Sequence, residues 1–125
     1  MRSQSTWYAK NIDGGSNTVT VTFDGSTTYV DLRITEYSGL DPVNPFDQTA
    51  AASGSASVAS TPNVTTTSPR ELIFAAGVTT GSYDNATLPF TTRVITSPDM
   101  DIVFDRVVDT AGTYNATVTQ SGNWI

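Results

Sequence analysis

Between Asn17 and Phe23 every second side chain is apolar. Val19, Val21 and Phe23 fall on one side of an extended chain, and Thr18, Thr20 and Thr22 on the other. A period of two is the pattern of a half-buried strand, and a helix cannot gather such residues on one face. The pattern recurs over Thr28–Tyr37, where Val30, Leu32 and Ile34 alternate with Tyr29, Asp31, Arg33 and Thr35. Composition points the same way: 12 Val and 6 Ile stand against 4 Leu, and 22 Thr with 13 Ser make up 28% of the chain. β-Branched side chains lose χ1 freedom in a helix and fit a pleated sheet.

Turn residues divide the chain into eight or so short segments. Thr6–Ile12 reads as a strand ended by Asp13-Gly14-Gly15, Asn17–Phe23 as a second ended by Asp24-Gly25-Ser26, and Thr28–Tyr37 as a third. These three form an expected antiparallel meander. The two prolines of Ser38–Pro45 break any ladder. Gln48–Pro69 is plain in composition and reads as two small strands, because a structureless loop of about twenty residues is rare inside a domain. Glu71–Val78 is the most apolar segment and the expected central strand. Gly81–Pro89 is a polar loop, and Phe90–Thr96, Met100–Val108 and Gly112–Thr119 complete the set. The expectation is an all-β, antiparallel two-sheet sandwich, immunoglobulin-like or jelly-roll-like, formed by residues 1–125 as one domain with 1–5 as linker.

Several chemistries are excluded outright. The 125 residues contain no Cys and no His, which removes thiol nucleophiles, imidazole bases, disulfides and His- or Cys-ligated zinc. A net charge of −6 disfavours nucleic acid and anionic membrane surfaces. No apolar run is long enough to span a bilayer. An acidic chain with one lysine and abundant Thr and Ser suits a secreted protein, and with no signal segment before Trp7 these residues read as part of a longer one.

Glycoside hydrolysis needs two carboxyl groups across one bond. Of the two Glu, Glu36 shares the inward parity of Val30, Leu32 and Ile34 and Glu71 opens an apolar strand. A structural carboxylate at a sheet end is the preferred reading of Glu36, so no catalytic residue is assigned. Asp41, Asn44 and Asp47, with Asp99 and Asp101, are candidate oxygen ligands for a structural Ca²⁺, although turn formation explains them as well. No other cofactor is implied. The lone lysine, Lys10, could link to Asn115 with help from Glu36.

Of the 12 aromatic residues, Phe23, Phe74 and Phe104 have core parity. Trp7 and Tyr8 are neighbours, so on a strand one of them must leave the core. Trp7, Trp124, Tyr83 and Tyr29 are the candidate binding residues, since an exposed ring beside hydroxyl and amide groups stacks against the C–H face of a sugar.

Three stretches carry a family resemblance: WYAKNIDGGSNTVTVTF (Trp7–Phe23), VDLRITEYSGLD (Val30–Asp41) and DTAGTYNATVTQSGNWI (Asp109–Ile125). They resemble the Thr/Gly-rich β-sandwich modules appended to secreted polysaccharide hydrolases of soil bacteria. On cellulases such modules are carbohydrate-binding modules. The resemblance implies non-catalytic binding of β-glucan, meaning cellulose, mixed-linked glucan or xyloglucan, by a module tethered to a glycoside hydrolase. The shared segments are strand-and-turn patterns and transfer no binding residue. In that family further strands flank the matched segments, so this chain reads as a compact variant or as a sandwich with exposed edges. An immunoglobulin-like spacer or adhesin repeat is the competing expectation.

Overall fold

A computed structural model describes residues 2–125. They fall into two units, one holding the N-terminal residues to Trp7 together with Phe46–Ile125, the other Tyr8–Pro45. The protein is all-β and antiparallel, and no helix occurs among the described residues. Among the described residues seven strands are formed, all in the first unit: β1 (Val58–Ser60), β2 (Val64–Thr65), β3 (Glu71–Gly77), β4 (Thr91–Ile95), β5 (Ile102–Val108), β6 (Thr113–Tyr114) and β7 (Thr117–Thr119).

The largest sheet has the order β3-β5-β4. Its centre is therefore β5, and the expectation that Glu71–Val78 would be central is corrected: β3 lies at the edge of this ladder. Hydrophobicity along the chain favoured β3 because β5 carries Asp105 and Arg106, yet β5 is buried at Ile102, Val103, Phe104, Asp105 and Val108. β1–β7 and β2–β6 form two further antiparallel ladders of two strands each. Ile102 and Phe104 from one face of β5 pack with Phe90, Tyr83, Ala59, Ala116 and Val118, so the three-stranded sheet and the β1–β7 ladder share one core in a sandwich-like arrangement of three antiparallel sheets. Phe90 meets Phe104 edge to face, with ring centres 5.2 Å apart. In β1 the small Ala59 points inward and the larger Val58 outward, which the Ser/Ala alternation did not distinguish.

Thr79 fastens one end of the sandwich. Its amide donates to Asp101 Oδ1 at 2.9 Å, and its hydroxyl lies 2.7 Å from the Ser121 carbonyl and 3.1 Å from Gln120 Oε1. Val78 and Ile125 exchange two backbone hydrogen bonds at 3.0 Å, and Gly54 and Trp124 exchange two more. The segment around Trp124 thus acts as a short strand between residues 54 and 78. The polar side chains of Thr79, Asp101 and Gln120 in this knot all find partners, as burial requires, and the Trp124 indole Nε1 is the exception.

Residues 8–45 depart from the sequence reading. The turns are present as bends at Gly14-Gly15 and Asp24-Gly25. No strand is formed at Thr6–Ile12, Asn17–Phe23 or Thr28–Tyr37, so the expected meander is corrected to chain outside any ladder. Val19, Val21 and Phe23 remain 55, 47 and 48% exposed, and Val30, Leu32 and Ile34 are likewise exposed. Glu36 is exposed as well, which overturns its inward placement. Alternation supplies an apolar face, but a ladder is stabilised only when that face is buried. Phe74 is corrected for a different reason: it lies on the face of β3 away from the core and is 37% exposed. Only Phe104 of the three expected core Phe residues is buried.

Amide hydrogen exchange reads this contrast directly. Amides of Thr18–Phe23 should exchange within about tenfold of their unstructured rates, whereas those of Val103–Val107 should be slower by several orders of magnitude. Equal protection in both stretches would contradict the arrangement.

Candidate functional site

The four aromatic candidates meet different fates. Trp7 is 88% exposed and Tyr29 is 93% exposed, so both rings present open faces to solvent. Tyr83 is buried at 3% and belongs to the core, which corrects its assignment as a stacking ring. Its backbone bridges to Gln120, and its ring lies so close to Gly77 that a Cβ there would fall 2.5 Å from the Tyr83 hydroxyl oxygen. The one readable signal of this was the glycine itself, placed inside the most apolar strand, where close approach of another group is a usual reason. Trp124 is half-buried against the core, and its indole covers Gly54 at 3.0 Å from where a Cβ would sit. Its Nε1 is buried without a partner.

Trp124 also borders a cleft with Arg2, Val78, Thr80, Asn123 and Ile125. The cleft holds about 190 Å³. Enclosed ligand sites are usually about 300–1,000 Å³, so a sugar chain would have to lie across the surface rather than enter here. Arg2 spans this edge by donating to the Thr79 carbonyl, and Gln4 donates to the Ala76 carbonyl at 3.0 Å.

The carboxylates are engaged in local structure. Asp41 Oδ1 accepts from the amides of Val43 at 2.7 Å and Asn44 at 3.0 Å, and these bonds hold its pKa below the ordinary value. Asp47 accepts the Thr67 hydroxyl at 2.7 Å and the Thr67 amide at 2.8 Å, which lowers its pKa in the same way. Asp101 holds Thr79, and Asp99 is exposed in the β4–β5 turn. Among the described residues no group of three or more acidic side chains is arranged to hold a metal ion. Asp41 with Asn44 and Asp47 with Thr67 are accounted for as loop-shaping contacts.

Sequence reasoning missed the most buried carboxylate. Asp105 is 2% exposed on the outer face of β5 and receives a fork from Arg93, with Nε 2.7 Å from Oδ2 and Nη2 2.8 Å from Oδ1. Arg93 is the extra residue where the β4–β5 register shifts between Thr92 and Val94, and such a bulge redirects a side chain. A carboxylate locked in a bidentate ion pair is a structural element rather than a proton donor. Lys10 donates to the Val43 carbonyl and Asn115 donates to Ser60 Oγ at 3.2 Å, so each of the two groups proposed for an amide cross-link has another partner.

Replacing Arg93 by Ala removes both bonds from a buried carboxylate. Loss of a fully buried partner costs about 3–5 kcal/mol, and the half-exposed guanidinium reduces this, so a loss of about 2 kcal/mol is expected in urea unfolding. A change below about 0.5 kcal/mol would show that Asp105 does not depend on the pair.

Compared with protein-family models, curated proteins and solved structures, the chain gave no match in any of the three.

Proposed function

We propose that this chain is a non-catalytic carbohydrate-binding module that holds neutral β-glucan on its surface and tethers a secreted glycoside hydrolase to it. The observation that carries the reading is the open indole of Trp7, 88% exposed on a chain whose surface is rich in neutral hydroxyls. Leaving an indole in water is unfavourable, and a pyranose face is a partner that covers it without requiring charge. Tyr29 offers a second, separate ring. Neither needs a cleft, which agrees with a polymer bound across a surface. The carboxylates described above serve turns and an ion pair, which favours binding over hydrolysis.

A purely structural role as a spacer or adhesin repeat is the second reading. It is favoured by the burial of Tyr83 and the packing of Trp124 on Gly54, which withdraw two of the four aromatic candidates to structural duty.

Affinity gel electrophoresis in xyloglucan, mixed-linked β-glucan and hydroxyethyl cellulose separates the two. The native chain should be retarded in at least one gel. Trp7→Ala should lose most of that retardation, since a stacked ring contributes about 1–3 kcal/mol by analogy with bases on aromatic side chains, and Tyr29→Ala should lose less. Unretarded migration of the folded chain in all three gels leaves the spacer reading standing.

A further inference from the structure

The chain has six cationic side chains, and five of them are matched to an acceptor. Arg33 pairs with Asp31, Arg70 with Asp109 and Arg93 with Asp105, while Arg2 and Lys10 donate to the carbonyls of Thr79 and Val43. Arg106 is the exception. Among the described residues it has no ion-pair partner, and its Nε is buried with no acceptor. The guanidinium carbon stands 5.4 Å from the centre of the Phe90 ring and 5.1 Å from that of Tyr114. The side chain is clamped between two aromatic faces at the end of the core, opposite Ile73 in the β3–β5 register.

Two physical consequences follow. A guanidinium held between rings has already lost most of its rotamer freedom, so a ligand meets it preorganised. A cation that is partly desolvated and lacks a counterion also attracts an anion more strongly than one in open water. The hidden nitrogen is Nε in a residue that is half-buried as a whole, and no hydrogen bond or ion pair among the described residues occupies the terminal Nη groups. Their parallel N–H bonds match a carboxylate in bidentate geometry. Tyr114 is itself fixed, since its hydroxyl donates to the Thr110 carbonyl at 2.8 Å, so the clamp is braced from outside.

We propose that Arg106, braced by Phe90 and Tyr114, is a recognition site for a carboxylate-bearing sugar such as a uronic acid. The choice of a sugar as carrier of the carboxylate rests on the polysaccharide-binding reading above, with the acidic sugar a second ligand beside the neutral β-glucan assigned to Trp7; the anion site rests on the geometry of Arg106.

The test is thermal unfolding of the full chain with sodium D-glucuronate, with D-glucose as the neutral control and sodium chloride at matched ionic strength. Arg106→Met keeps an apolar stem between the rings and removes the charge, and Arg106→Lys keeps the charge without the fork. Glucuronate at about ten times its Kd should raise the Tm of the native chain by roughly 4–6 °C, with no rise from glucose or chloride. The rise should vanish in Arg106→Met and be at least halved in Arg106→Lys, while the unliganded Tm of Arg106→Met stays near or above the native value. The same rise in the native chain and Arg106→Met, an equal rise with chloride, or no rise at all overturns the proposal. Should Arg106→Met fail to fold, Arg106→Lys decides, because an unchanged response there rejects the fork. Gel retardation by neutral glucans and its loss in Trp7→Ala is a separate readout, so the failure of either reading is recognised without the other.

Discussion

The strand Ile102–Val108 is buried on both of its faces from Ile102 to Asp105, and most of the sandwich can be understood as a response to that constraint. On the inner face Ile102 and Phe104 anchor the core against Ala59, Ala116 and Val118. On the outer face the same strand places Asp105 out of water, and a buried carboxylate must be paired. The bulge at Arg93 supplies the pair. Where the inner face runs out, Arg106 would bring a charge to the edge of the core, and Phe90 and Tyr114 accommodate it with their rings. One strand thereby dictates a bulge, an ion pair and an aromatic clamp on its neighbours.

The opposite end is held by hydrogen bonds rather than apolar burial. Thr79, 1% exposed, joins Asp101, Gln120 and Ser121. Through the bridges at Gly54 and Thr79 the Trp124 segment becomes part of the sheet. This explains why Trp124 is covered while Trp7 is open: Trp124 sits on a backbone held from both sides, with a glycine beneath its indole.

The sequence made the all-β class legible, along with the places of Glu71–Gly77 and Ile102–Val108 as strands, because period-two patterns and turn residues are local properties. It concealed which strand is central. Asp105 and Arg106 lower the apparent hydrophobicity of β5, and the side chains that compensate them, Arg93, Phe90 and Tyr114, come from elsewhere in the chain. Residues 17–37 show the converse error. Their alternation is the clearest in the chain, but strand formation depends on a partner and a covered face, and neither is encoded in the repeat itself. For the site, Trp7 and Tyr29 stand open, but so do their neighbours Tyr8 and Val30, so the strand parity assumed for them does not account for it. Tyr83 could not be placed from a polar loop, since its burial depends on the space over Gly77.

The functional account reduces to whether the Trp7 indole is a sugar-stacking surface. A Trp124→Phe variant leaves Trp7 as the single tryptophan and keeps an aromatic ring over Gly54, so its fluorescence reports Trp7 alone. Titration with cellohexaose should shift the emission to the blue and reduce acrylamide quenching by at least about twofold as a sugar face covers the ring. Emission and quenching that stay unchanged to saturating oligosaccharide, in a folded variant, would contradict the account.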